Sequence, residues 1–72
     1  MDPSLPVTVD PEVMHGTPVF RGTRVPIRTL LDYVGDGIAL DEFLEEFPSV
    51  KREDALRLIE HVNEALVAEA LR

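Results

Sequence analysis

The run from Pro18 to Ile27, Pro-Val-Phe-Arg-Gly-Thr-Arg-Val-Pro-Ile, constrains this chain more than any other segment. Two short β-prone pairs, Val19-Phe20 and Val25 with Ile27, flank an Arg21-Gly22-Thr23-Arg24 turn. Gly22 takes positive φ at little steric cost, as tight turns often require, so the segment predicts a small hairpin over about 18–26. Pro26 has no backbone donor, which limits ladder pairing and favours an edge or exit position. The result is a rigid tip with two arginines on an otherwise acidic chain.

Seventy-two residues suffice for one small domain with a marginal core, so a homodimer or another partner is expected. The absence of cysteine excludes disulfides and thiolate metal sites. No apolar run approaches the roughly 20 residues that span a bilayer, and the first residues lack the basic segment of a signal peptide. The expectation is a soluble cytoplasmic protein without membrane contact. The net charge of −7 is uneven: five acids and three arginines over residues 1–38, nine acids and four bases over 39–72. An overall basic footprint for nucleic acid is missing, and a basic protein partner is favoured.

Residues 1–6, with two prolines and a serine, read as a flexible arm ahead of a single domain over 7–72. Val7-Thr8-Val9 reads as a short strand, ended by Asp10-Pro11, and residues 12–17 as a turn. The first helix is predicted at about 26–34, with Pro26 at its first position and Ile27, Leu30, Leu31 and Val34 on one face. Gly35-Asp36-Gly37 stops it. The second is predicted at about 40–47, with Leu40, Phe43, Leu44 and Phe47 at the same spacing, Asp41 and Glu42 in its first turn, and Pro48 at its end. The third is predicted at about 52–71, with a stripe of Ala55, Leu58, Ile59, Val62, Ala65 and Leu66. Leu56, Val67, Ala70 and Leu71 fall off or beyond that stripe. The apolar far end either folds back over the first helix or forms a dimer or partner surface. The fold class is mainly α: three helices with a short N-terminal strand and a β-hairpin. The short link between the last two helices resembles a helix-turn-helix, a spacing that many helical hairpins share.

No catalytic constellation emerges, and none for metal or cofactor. His15 and His61 lack partners at ligand spacing and read as ordinary surface or packing histidines. Ser4 and Ser49 have no visible base, no phosphate loop follows a strand, and Glu45-Glu46 reads as a solvated helix face. An enzyme is not expected.

Asp10-Pro11 followed by His15-Gly16-Thr17-Pro18-Val19-Phe20-Arg21-Gly22-Thr23-Arg24-Val25-Pro26 strongly resembles the signature of the domain of unknown function 433 (DUF433) family. Gly37, Asp41-Glu42-Phe43-Leu44, Phe47-Pro48 and Glu53-Asp54-Ala55 continue the resemblance, which runs from about Val7 to Val62. It implies a small helical fold related to homeodomain-like helix-turn-helix domains. Many members resemble antitoxins, encoded beside a PIN-like ribonuclease toxin that they are thought to neutralise, with binding to their own promoter DNA as a further expectation. Thr17 stands where many members have lysine. Ala39 and Lys51 stand where Ser or Thr often precedes the second and third helices, a loss of about 1 kcal/mol of capping each.

Three roles follow. As a toxin-neutralising protein, the chain would offer Arg21 and Arg24, on the Arg21-Gly22-Thr23-Arg24 tip, to the metal-holding carboxylates of the nuclease, because guanidinium binds carboxylate bidentately. The hairpin edge could also add to a partner sheet, and Leu66, Val67, Ala70 and Leu71 would supply an apolar anchor. The blander alternative pairs both arginines with Asp32 or Asp36. As a DNA-binding regulator, it would use Lys51, Arg52 and Arg57 on the third helix, with Arg28 on phosphate, against repulsion from Glu53 and Asp54. The alternative leaves those bases solvated, with Arg57 paired to Glu53. As an adaptor, it would only oligomerise.

Overall fold

The structure, a computed structural model, describes residues 4–71. Two strands, β1 (Val7–Thr8) and β2 (Val19–Phe20), precede three helices: α1 (Ile27–Gly35), α2 (Leu40–Glu46) and α3 (Arg52–Ala70). A single 3-10 turn, Met14–Gly16, lies between the strands. The fold is mainly helical, with one small antiparallel sheet.

The sheet pairs β1 with β2, Val7 opposite Phe20 and Thr8 opposite Val19. The return arm of the hairpin lies on the other side of β2 and contributes one bridge, Val19 to Pro26. The Phe20 N–H donates to the Val25 carbonyl (2.9 Å) and the Ile27 N–H to that of Pro18 (3.0 Å). Pro26 has no N–H with which to extend this into a second ladder.

Of the expected flexible arm over 1–6, residues 1–3 lie outside the described set, and Leu5 and Pro6 are buried. The Pro6 carbonyl accepts from the Arg21 N–H (2.9 Å), which ties this segment to the hairpin. The burial of Leu5 and Pro6 rests on non-local contact, which local composition does not reveal. Residue 72 also lies outside the described set.

α1 starts one residue later than expected. Pro26 is its N-cap, with extended backbone (φ −63, ψ 140), because it is still bridged to β2. The helix ends in a Schellman motif: Gly37 at φ +75, with Gly37 N–H to Val34 O (3.1 Å) and Ile38 N–H to Tyr33 O (2.9 Å). α2 ends at Glu46, with Phe47 as C-cap ahead of Pro48. Ala39 and Lys51, the N-caps of α2 and α3, make no side-chain capping bond. Asp41 and Glu42, and Glu53 and Asp54, instead place negative charge in the first turns.

Phe20, Val25, Leu30, Phe43, Val50, Ala55 and Leu58 form the core. Phe43 lies among three aromatic rings, with centroids 6.3 Å from Phe20, 5.4 Å from Tyr33 and 5.0 Å from Phe47. The apolar faces read from the sequence are only partly used. On α1, Leu30 is buried while Leu31 and Val34 stay exposed. On α3, the expected stripe is covered at Ala55 and Leu58 and half-covered at Ile59 and Val62, and it is exposed at Ala65 and Leu66. At 1.5 Å per residue, α3 is about 28 Å long, and the small core reaches only its first half.

Candidate functional site

The Arg21–Arg24 tip is held by its backbone and by one side chain. The Thr23 N–H donates to the Phe20 carbonyl (3.0 Å). The Thr23 hydroxyl donates to the same carbonyl (2.8 Å) and accepts from the Val25 N–H (3.0 Å). Gly22 adopts φ +78 with no neighbour within 4 Å of an added Cβ, so the backbone angle, not crowding, selects glycine there. Arg21, Gly22 and Arg24 are exposed, and Thr23 is half-buried beneath them.

Neither Arg21 nor Arg24 forms an ion pair among the described residues. The alternative that ties them to Asp32 or Asp36 therefore does not hold. Asp32 instead meets Arg28 at 3.9 Å, four residues away on α1. Arg24 borders two open surface hollows. One, of about 450 Å³, runs past Thr8, Val19, Thr23 and Ser49, and the other, of about 570 Å³, past Glu12, Met14 and His15. The second hollow is walled by Met14 (φ 50) and His15 (φ 56), consecutive non-glycine residues in the left-handed region. Such backbone costs about 1–2 kcal/mol per residue and holds only where its surroundings enforce it. Here the Gly16 N–H and Thr17 N–H close the turn onto the carbonyls of Val13 (3.1 Å) and Met14 (3.0 Å).

The residues expected to meet DNA are spread over α1 and the first turns of α3. Arg28 is on α1. Arg52 hydrogen-bonds the carboxylate of Asp41 on α2. Arg57 lies about 140° further around α3, where its Nη2 donates to Ser4 Oγ (3.4 Å). Lys51 is exposed just ahead of the helix.

The far end of α3 is open rather than folded over α1. Residues 63–71 are all exposed, with Leu66 at 65%, Val67 at 51% and Leu71 at 82%. The first of the two alternatives, a helix end folded back over α1, does not hold, and the apolar surface here is uncovered.

Sequence reasoning missed the Tyr33 hydroxyl donating to the Glu46 carboxylate, a latch between α1 and α2. The partners are 13 residues apart, and no periodicity pairs them. The histidines remain apart from any ligand set: His15 is exposed in the left-handed turn and His61 is half-buried on α3. Among the described residues, no three His, Cys, Asp or Glu side chains group as metal ligands. No helix among them is long and apolar enough to cross a membrane.

Residues 7–71 match the family described as "Protein of unknown function (DUF433)". This chain belongs to the DUF433 family. A DUF433 member protein from Anabaena variabilis, known as a crystal structure, superposes with a TM-score of 0.65 at 29% identity over 96% of this chain and 71% of that one. The "Uncharacterized protein y4eO" of Sinorhizobium fredii is 43% identical over 47 residues, 65% of this chain. The match spans 21% of y4eO, so this chain covers about a fifth of that relative's length.

Proposed function

We propose that this DUF433 chain is an antitoxin: a stoichiometric, non-enzymatic inhibitor that occludes the active site of a PIN-like ribonuclease toxin in the cytoplasm. The observation that carries the reading is the tip, where Arg21 and Arg24 are exposed, without ion pairs among the described residues, on a turn locked by Thr23. A preorganised guanidinium pair is suited to carboxylates that hold a divalent metal, and binding would displace that metal without chemistry by the inhibitor. The identity of the partner rests on the family resemblance. Leu66, Val67, Ala70 and Leu71 add a second, apolar binding surface at the far end of α3.

Promoter DNA binding is the secondary activity. Lys51 favours it, being exposed at the start of α3. Arg28 and Arg52 oppose it, since each is engaged by an aspartate, and the net charge of −7 repels phosphate.

The test is neutralisation of the co-encoded nuclease in cells and in a purified RNA-cleavage assay. Arg21→Glu with Arg24→Glu abolishes neutralisation and leaves the helical circular dichroism unchanged, whereas Lys51→Ala with Arg57→Ala leaves neutralisation intact. If the tip double variant still protects, the tip is not the inhibitory element. If the wild type binds only DNA, with affinity that collapses as salt rises, the regulator reading replaces this one.

A further inference from the structure

α3 carries two apolar faces, and its own core uses only one. Ala55 and Leu58 are buried, and Val62 on the same side is half-buried. One residue after each of these comes Leu56, Ile59 and Asn63, and the series continues through Leu66 and Ala70. This second stripe advances in steps of three and four, the a and d positions of two heptads, and is rotated from the core face by about 100°. Leu56 is 50% exposed, Leu66 is 65% exposed, and Asn63 and Ala70 are exposed. Ile59 alone is shared with the core.

We infer that this seam pairs with the same seam of a second copy, parallel and in register, as a short coiled coil. Asn63, at a central a position, favours a second copy over an unrelated helix. Buried against an apolar partner, its amide would lose its hydrogen bonds at substantial cost. In a parallel pair, a faces a of the partner, so each Asn63 meets its own copy, which is how a lone a-position asparagine sets register and two-strandedness. The charges agree. Ala55, beside Leu56, is covered by its own core, and the flanking pair left to approach across the seam is Val62 with Val67, so no like charges oppose there although each chain carries −7. The globules lie to the side of the seam, and the twofold sends them to opposite sides of the paired helices. Two heptads fall below the three to four of a self-sufficient coiled coil and below the roughly 800 Å² per partner of a standard interface, so the dimer is weak and concentration-dependent. This inference does not rest on the identity of the toxin.

Sedimentation velocity from about 1 μM to about 500 μM tests it, and the expected result is a reversible monomer–dimer equilibrium. Leu66→Glu, at a site the core does not use, raises the dissociation constant at least about tenfold with unchanged circular dichroism. The chain has no cysteine, so single-cysteine variants report geometry cleanly. Ala70→Cys forms an intermolecular disulfide under mild oxidation much faster than Ala68→Cys, which points away from the seam. A monomer at every concentration, a dimer indifferent to Leu66→Glu, or equal cross-linking at 70 and 68 overturns the proposal. The last of these is also the result that an antiparallel pair would give.

Discussion

Arg52, the first residue of α3, hydrogen-bonds the carboxylate of Asp41 in the first turn of α2. The helix that a DNA-reading domain would offer to the groove thus begins with its arginine engaged. The two side chains are 58% and 78% exposed, and an exposed pair contributes about 0–1 kcal/mol and is screened by salt. Asp41→Asn is expected to destabilise by less than about 1 kcal/mol at low ionic strength and by less again at high ionic strength. Thermal melts at the two salt concentrations check this. A larger, salt-independent loss would mean that the contact organises the α2–α3 corner by more than charge.

Thr23 is expected to govern the tip without touching a partner. Its hydroxyl bonds the Phe20 carbonyl and the Val25 N–H, so Thr23→Val deletes both contacts at nearly constant volume. The expected loss is about 1–2 kcal/mol of stability, with weaker partner binding although Arg21 and Arg24 are retained. Thr23→Ser keeps the hydroxyl and should rescue both. Equal melting temperatures for the two variants would rule this role out.

Tyr33 predicts a stability loss in alkali. Its hydrogen bond to Glu46, then burial, then the charges of Glu46 and Glu42 raise its ionisation above the ordinary value of 10.0. The unfolded chain loses this proton first, so the folded state holds the extra proton in the alkaline range. The contribution is complete below pH 10.0 and falls as pH climbs through the raised value. Tyr33→Phe keeps the rings against Phe43 and Phe47 and removes the titration. Urea midpoints between about pH 8 and about pH 11 should fall more steeply for the wild type than for the variant. Equal slopes would contradict the prediction.

Phe43 is the side chain whose loss the fold should tolerate least. It is fully buried among Phe20, Tyr33 and Phe47. Truncation of a buried phenylalanine costs about 3–5 kcal/mol, comparable to the whole stability of so small a domain. Phe43→Ala is therefore expected to lose most helical circular dichroism at room temperature, while Phe43→Leu stays folded and melts lower. A well-folded alanine variant would show that the aromatic cluster is not the keystone.

The elements that follow local rules were legible to within a residue. Gly37 and Ile38, whose N–H groups bond the Val34 and Tyr33 carbonyls, end α1, Pro48 limits α2, and Glu53-Asp54 opens α3, all through neighbours within about one turn. The exposed tip was legible for the same reason, since Gly22 and Thr23 shape it through residues two or three positions away. The partners of distant residues were not. The β1–β2 pairing, the burial of Leu5 and Pro6, the Tyr33–Glu46 latch and the capture of Arg52 by Asp41 join segments that no periodic pattern relates.

The sequence by itself determined where the helices lie, where the chain turns, and that the turn carries two arginines, because dihedral preference, capping and side-chain period act over one turn of backbone. Only the tertiary structure decided which apolar residues are covered. Helical period records that Leu30 and Leu31, or Leu58 and Leu66, are all apolar, but it does not record how much surface the rest of the chain can bring to meet them. In this small protein that surface runs out halfway along α3, and Leu66 is left exposed while Leu58 is buried.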